Sequence, residues 1–487
     1  MDAEKLLIGW ASRDVSTDKP VGIRGQFHLR ISEGVLDPVT VTALTISNAD
    51  DAVIFLSCDM VVIWSFLVEK IRGKVRALAP AIPAEKIILN ATHTHEGGDL
   101  YEWEDTFKTL PRMSGKEYVE FFSDMAAEAV VDSWKNRRPG GVAWGYGFAS
   151  VAHSRRAVYL DDTSKRPGAV GKPGLMVNGH AMMYGNTNDP MFSHFEAGTE
   201  SFLNLLFTYD ADNNLDGVLV NVPCPSQVDE SIWMLSADYW HETRVALRKK
   251  FGKDLHVLPQ CAASGDLSPH YLDYKAALKR RLALKGVSER QDIAERIATG
   301  VEEVSTWASN DIRCAAPLKH ITRTIELTRR RITKEEYESE LKTLEPLAEQ
   351  QPSTSPDPKQ RMIDDSILDS RRRRCQQVID RYQSQDDKPK LPMELHAVRL
   401  GDIAFASNRF ELYMDFAHRI QARSPAQQTF IVQLAGSEVG ERGGSYLPTA
   451  RGEWGKGYSA TQYCNLVNST GGQELVEETL KALGEMF

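Results

Sequence analysis

The sequence predicts an α/β fold: mixed β-sheets flanked by helices in one large domain over 1–487, with a helical excursion at about 271–390. Three observations lead there. Apolar runs of strand length recur in both halves of the chain, at 6–10, 41–46, 52–58, 203–209, 217–222 and 430–434. Between them lie stretches of helical spacing, as at 64–78, where Phe66, Leu67, Ile71, Val75 and Leu78 share a face ahead of Pro80. The region 271–385 turns charged and glycine-poor, with a stripe of Leu341, Leu344 and Leu347 and a breaker, QPSTSPDP, at 351–358.

Composition narrows the function classes. A hydrophobic fraction of 42%, a charged fraction of 26% and a net charge of −9 over 487 residues describe an ordinary globular protein. Such an acidic chain lacks the basic patch that releases counterions from phosphates, so no nucleic-acid partner is expected. No stretch approaches the roughly 20 apolar residues of a membrane helix, so no stable membrane association is expected either. The opening MDAEKLLIGWASRD has no basic segment followed by an apolar one. Six scattered cysteines without a C-x-x-C pair argue against a disulfide framework and for a reducing compartment, the cytoplasm, although a removed export signal leaves the same sequence. The expected partner is a small-molecule substrate; homo-oligomerisation is left open.

Taken in order, the run 52–58 ends in Asp59, the helix 64–78 follows, and a second apolar run at 87–89 completes a strand–helix–strand crossover. That second strand leads into ATHTHEGG. If it continues through the motif, His93 and His95 share a face and point into one cavity, where histidine is the usual metal ligand and the usual proton shuttle; the alternative is an ordinary half-buried strand end. A helix at 118–134 precedes the strand-like GVAWGYGFASV and then Arg155-Arg156, which either clamp an oxygen anion or occupy a solvated turn. The Gly-, Pro- and Asn-rich stretch 161–188 is expected to be a long loop over the site. The strand 217–222 runs into Cys224, held extended between Pro223 and Pro225, either a ligand or a small core filler.

A strand at 255–258 opens into QCAASGDLSPH, whose small residues expose Ser268 without forming a G-x-S-x-G elbow. In the excursion, Arg371 to Arg374 are expected to form a solvated helical face. The sheet resumes at 395–406 and ends in Glu411; a glycine-rich segment at 443–449 carries Tyr446, with Tyr458 beyond it and a last helix at 473–487.

Four of these motifs, ATHTHEGG, SGDLSPH, the Glu411 strand end and SYLPT followed by Tyr458, occur in the order found in the neutral, non-lysosomal ceramidases, whose catalytic domain the chain resembles from its first strand to about Phe487. The resemblance is thin across the helical excursion. It implies a hydrolase with a zinc ion (Zn2+) held by the first histidine of H-x-H, a histidine before a proline, a strand-end glutamate and a tyrosine. His93, Glu411 and Tyr446 match three of these positions, and the fourth falls on Cys224, a good zinc ligand whose thiolate makes the metal a weaker Lewis acid. By the same matching His95 is the proton-exchanging histidine, Ser268 the serine of the GD-x-SPN loop, Tyr458 a substrate-binding tyrosine and Arg155 the carbonyl-binding arginine, with Arg156 as its one-residue alternative. His270 replaces the family's asparagine.

Amide hydrolysis needs a polarised carbonyl, an activated water and a proton for the nitrogen, and this residue set supplies all three. The family carries a sandwich domain after the catalytic one, and no apolar element here stands out that draws a ceramide from a bilayer. The expected substrate is therefore a polar N-acylated molecule, with Glu96, Asp99, Glu102 and Glu104 suited to hydroxyl-rich or cationic groups. A hydrolase acting on a sugar-like substrate through a non-amide bond, and a non-catalytic binding protein, are the alternatives.

Overall fold

Two five-stranded sheets and one four-stranded sheet enclose a shared apolar layer, and helices cover their outer faces. The structure, a computed structural model, describes residues 4–100, 107, 110–169, 174–175, 177–436 and 445–487. The first sheet runs in the order Ile87–Ala91, Ala52–Cys58, Thr40–Ser47, Leu7–Asp14, Arg138–Pro139. Period-two alternation divides its strands: Val53 and Phe55 face the inter-sheet layer, while Ile54 and Leu56 face the helices Ser65–Leu78 and Gly115–Lys135. The longer helix begins with a capping box, Ser114 and Glu117 exchanging hydrogen bonds, which accounts for its sharp start.

The second sheet has the order His256–Cys261, Leu215–Val222, Glu200–Tyr209, Gly141–Ser154, Leu267–Ser268, and packs its outer face on the helices Tyr239–Phe251 and Glu289–Ala308. The third has the order Leu318–Thr328, Lys390–Leu400, Ile403–Ser407, Gln428–Val432. A two-stranded parallel ladder of Glu411–Leu412 with Tyr446–Leu447 lies beside it, with Glu411 and Tyr446 as register partners. This is the predicted α/β class with mixed sheets.

Three local expectations are corrected. The run 395–406 is two strands, because Gly401 adopts a left-handed φ of 60° and turns the chain into an antiparallel hairpin. The excursion is interrupted by the strand Leu318–Thr328, whose charged residues misread as helical surface because it is a sheet edge with one exposed face. The strand preceding the H-x-H motif stops at Ala91, and His93 takes a left-handed φ of 68°, so strand alternation is not what aligns the two histidines.

Candidate active site

The carboxyl ends of the strands Ile87–Ala91 and Leu215–Val222 meet at one place. Ser226 N–H donates to the Thr92 carbonyl and His95 N–H to the Ser226 carbonyl, both at 3.3 Å, which ties the H-x-H turn to the segment after the second strand. Strand ends are where α/β sheets gather ligands. Here they open on a cavity of about 400 Å³ lined by His93, His95, Arg155, Glu411, Tyr446 and Tyr458 among others. Six residues singled out in the sequence thus share one wall space.

The geometry is close. His93 Nε2 stands 3.4 Å from both His95 Nε2 and Glu411 Oε2. Its other nitrogen, Nδ1, lies 2.7 Å from the Val61 carbonyl, which can only accept, so Nδ1 carries the proton and Nε2 keeps its lone pair for the cavity. Arg155 Nη2 donates to the Gly265 carbonyl at 2.7 Å, reaches Glu411 Oε2 at 3.7 Å, and the guanidinium lies 5.1 Å from the Tyr446 ring. Ser445 Oγ donates to the other Glu411 oxygen at 2.5 Å. With the His93 ring protonated, its charge and hydrogen bond, Arg155 and the Ser445 bond outweigh burial and hold the Glu411 carboxyl at about 2; with Nε2 unprotonated, as a ligand needs, Arg155 and Ser445 oppose burial alone. Burial, with the electropositive surroundings of His93, Arg30 and Arg155, pushes His95 well below the ordinary histidine value, so its ring is neutral and able to take a proton.

Three residues of the site were missed in the sequence. Glu230 Oε2 lies 3.6 Å from His95 Nδ1, just beyond hydrogen-bond reach, and its pKa is raised, chiefly by burial. Gln227 donates from Nε2 to the Tyr184 hydroxyl at 2.6 Å, while its buried Oε1 has no hydrogen-bond partner among the described residues. Tyr184 takes a left-handed φ of 53°, a strain of the kind that collects at functional sites. The polar run Gln227-Val228-Asp229-Glu230 after a strand end was a readable signal for two of them; Tyr184 lies within the 161–188 stretch, where nothing in the residue pattern separates it from its neighbours.

Several readings are overturned. Cys224 does not reach the cavity: its Sγ lies 3.2 Å from the Val151 carbonyl, in the apolar cluster beneath the second sheet. Burial, with Cys261 and Asp238 nearby, pushes its thiol well above the ordinary value, the reverse of what a thiolate ligand needs. Ser268 is fully buried, accepting from the His270 N–H at 2.9 Å, and is not part of the cavity wall. Arg156 is sealed away, paired with Glu196 at 2.9 Å and donating to the Lys456 and Tyr458 carbonyls, which leaves Arg155 as the cavity arginine. Glu96 and Asp99 are buried beside Arg30 and Arg24, outside the cavity; Glu102, Glu104, Gly443 and Gly444 lie outside the described residues. Arg371 to Arg374 are partly buried, and Arg374 lines the cavity.

The donor set can be tested against a zinc ion. His93 Nε2 and Glu411 Oε2 are both acceptors and face each other at 3.4 Å, an arrangement a cation between them satisfies. Tyr446, the register partner of Glu411, adds a hydroxyl from the same wall. Among the described residues no group of three or more His, Cys, Asp or Glu could hold a metal, so further donors have to be of other types, and the Tyr446 hydroxyl and Gln227 Oε1 are of that kind. His93, Glu411 and Tyr446 fit a metal; Cys224 does not.

No protein-family model matches the chain, and no curated protein matches it in sequence. Solved structures do match. The crystal structure of neutral ceramidase from Pseudomonas aeruginosa superposes with a TM-score of 0.67 at 14% identity, covering 100% of this chain and 75% of that one. A ceramidase complexed with C2 superposes with a TM-score of 0.64 at 13% identity, covering 98% and 74%. The chain has a neutral ceramidase-like fold.

Proposed function

We propose that the protein is a zinc-dependent hydrolase cleaving an amide bond of a small, polar N-acylated substrate. The observation that carries this reading is the facing pair His93 Nε2 and Glu411 Oε2, 3.4 Å apart on a cavity that also presents Arg155 and His95. A volume of about 400 Å³ is at the lower end of small-molecule sites and suits a compact substrate.

His93, Glu411 and Tyr446 would hold the metal, which when bound supplies a polarising charge and an acidified water. The protein's own groups do the rest. Arg155, fixed through the Gly265 carbonyl, presents its guanidinium to the substrate carbonyl oxygen, where negative charge develops in the transition state. His95, kept neutral by its surroundings, accepts a proton at Nε2 and returns it to the departing nitrogen. Glu230 faces the other ring nitrogen and steadies the imidazolium as it forms. The Tyr446 and Tyr458 rings, 5.6 Å apart edge to face, wall the substrate against water.

The test is zinc analysis of the purified protein together with hydrolysis of short N-acyl amines. One tightly bound zinc and turnover of amides are expected. Protein that binds no zinc after exposure to the metal, or that cleaves esters or glycosides and leaves amides intact, would overturn the reading.

A further inference from the structure

The helix Pro358–Ser384, from the part of the chain where the ceramidase resemblance is thin, is built into the cavity wall. Ser370 Oγ donates to the Phe27 carbonyl at 2.6 Å, and the Leu29 N–H donates to Ser366 Oγ at 3.0 Å, so the helix clamps the segment that carries Phe27. Arg374 projects from this helix into the cavity. Its Nε donates to the Gly174 carbonyl at 2.8 Å, and its guanidinium lies 5.4 Å from the Phe27 and Tyr463 rings. Its remaining polar contact is a weak one from Nη2 to Cys464 Sγ at 3.7 Å. Among the described residues it has no carboxylate partner. Two of the other cavity arginines differ: Arg155 stands 3.7 Å from Glu411, and Arg24 stands 4.0 Å from Asp99.

Three rings connect the reaction centre to this cation. Tyr446 touches Arg155, Tyr458 packs on Tyr446, and Phe27 packs edge-on against Tyr458 at 5.5 Å. The cavity therefore has a hydrolytic end, an aromatic side and an arginine held rigid between rings at the far end. A guanidinium pinned in this way has lost its rotamer freedom and much of its water already, so binding a planar anion costs it little.

We infer that Arg374 is a specificity residue that binds an anionic group, a carboxylate by preference, on the part of the substrate remote from the scissile amide. This rests on the hydrolase reading for the identity of the scissile bond and names the substrate class within it. The helical excursion thereby becomes the element that sets this chain's substrate.

The experiment measures binding by calorimetry, independently of turnover, using a matched pair of probes: N-hexanoyl-4-aminobenzoate and its neutral carboxamide. Wild-type protein is expected to bind the carboxylate about tenfold or more tightly, as one charge-assisted fork implies. Arg374→Gln is expected to bind both alike, and Arg374→Lys, which keeps the charge and loses the fork, to retain part of the preference. If Arg374→Gln melts far below wild type, Arg374→Met, whose stem still packs between the rings, carries the same comparison. Equal affinities in wild type, absence of carboxylate binding, or an undiminished preference in Arg374→Gln overturns the inference. Equal affinities with amide turnover intact would leave the hydrolase reading standing; a carboxylate preference without metal or turnover would do the reverse.

Discussion

Two buried clusters of the same residue types sit beyond opposite ends of the strand Ile87–Ala91 and behave differently. In one, Arg72 of the helix Ser65–Leu78 makes a two-pronged ion pair with Glu394 at 2.7 and 2.9 Å, His396 Nε2 meets Glu394 at 2.8 Å, and His320 Nε2 meets His396 Nδ1 at 2.9 Å. His320 Nδ1 ends the chain on the Ala52 carbonyl at 3.2 Å, and Arg72 Nε is the one atom of these side chains left unpaired. In the other, His93, His95, Arg155 and Glu411 stand 3.4 to 3.7 Å apart, and His95 Nδ1, Arg155 Nε and the neighbouring Gln227 Oε1 are all buried without a hydrogen bond. Buried polar groups are ordinarily paired, so a satisfied network reads as scaffold and an unsatisfied one on a cavity reads as a place built for substrate. Residue identity alone does not tell them apart; the gaps of under one ångström do.

The sharpest test of this contrast removes single members of each cluster. His93→Ala is expected to lose metal binding and turnover entirely, while His95→Ala keeps the metal and loses a factor of about 10² to 10⁴ in turnover, read by zinc stoichiometry and kcat. Equal zinc content in wild type and His93→Ala would erase the distinction. In the scaffold cluster, Glu394→Ala removes the two-pronged partner of buried Arg72, leaving it only the exposed Glu69 at 3.5 Å, and is expected to cost about 3–5 kcal/mol in chemical unfolding with metal content unchanged. A stable Glu394→Ala protein would mean that the second cluster is not structural.

Smaller effects refine the picture. Glu230→Gln is expected to retain metal and lower turnover by about 10- to 100-fold, because it removes the group that steadies His95. An unchanged kcat would place Glu230 outside the reaction. The Glu394 carboxyl has a further signature in pH. Burial opposes its charge, but the His396 and Arg72 hydrogen bonds prevail and hold it at about 2 against an ordinary 4.5. A depressed carboxylate stabilises the fold above its unfolded value, so the contribution is fully present above about pH 4.5 and is lost as the pH falls toward 2. The stability gap between wild type and Glu394→Gln is therefore expected to narrow across that window, and a gap that stays constant would contradict the assignment. Least of all, Cys224→Ser is expected to leave zinc stoichiometry unchanged and to cost about 1–3 kcal/mol from an inward polar substitution. Loss of metal in that variant would restore Cys224 as a ligand.

Much of this molecule is legible one residue at a time. Period-two and helical spacing depend on neighbours within a few positions, so the strand at 52–58, the crossover to 87–91 and the flanking helices follow from local pattern, and the H-x-H turn, Glu411, Tyr446 and Tyr458 follow from motif order. What the pattern left undecided was decided beyond the strand ends. His93 reaches the site through a left-handed backbone step that aims its ring, not through strand alternation. Cys224 turns into the apolar layer because the Val151 carbonyl and the packed second sheet receive it there. Arg374 leaves the solvent because Ser366 and Ser370 dock its helix on a segment more than 300 positions earlier. Side-chain direction outside regular elements depends on φ and ψ at single residues and on partners distant in sequence, and neither leaves a periodic trace; tertiary packing alone set which of the histidines, arginines and cysteines meet.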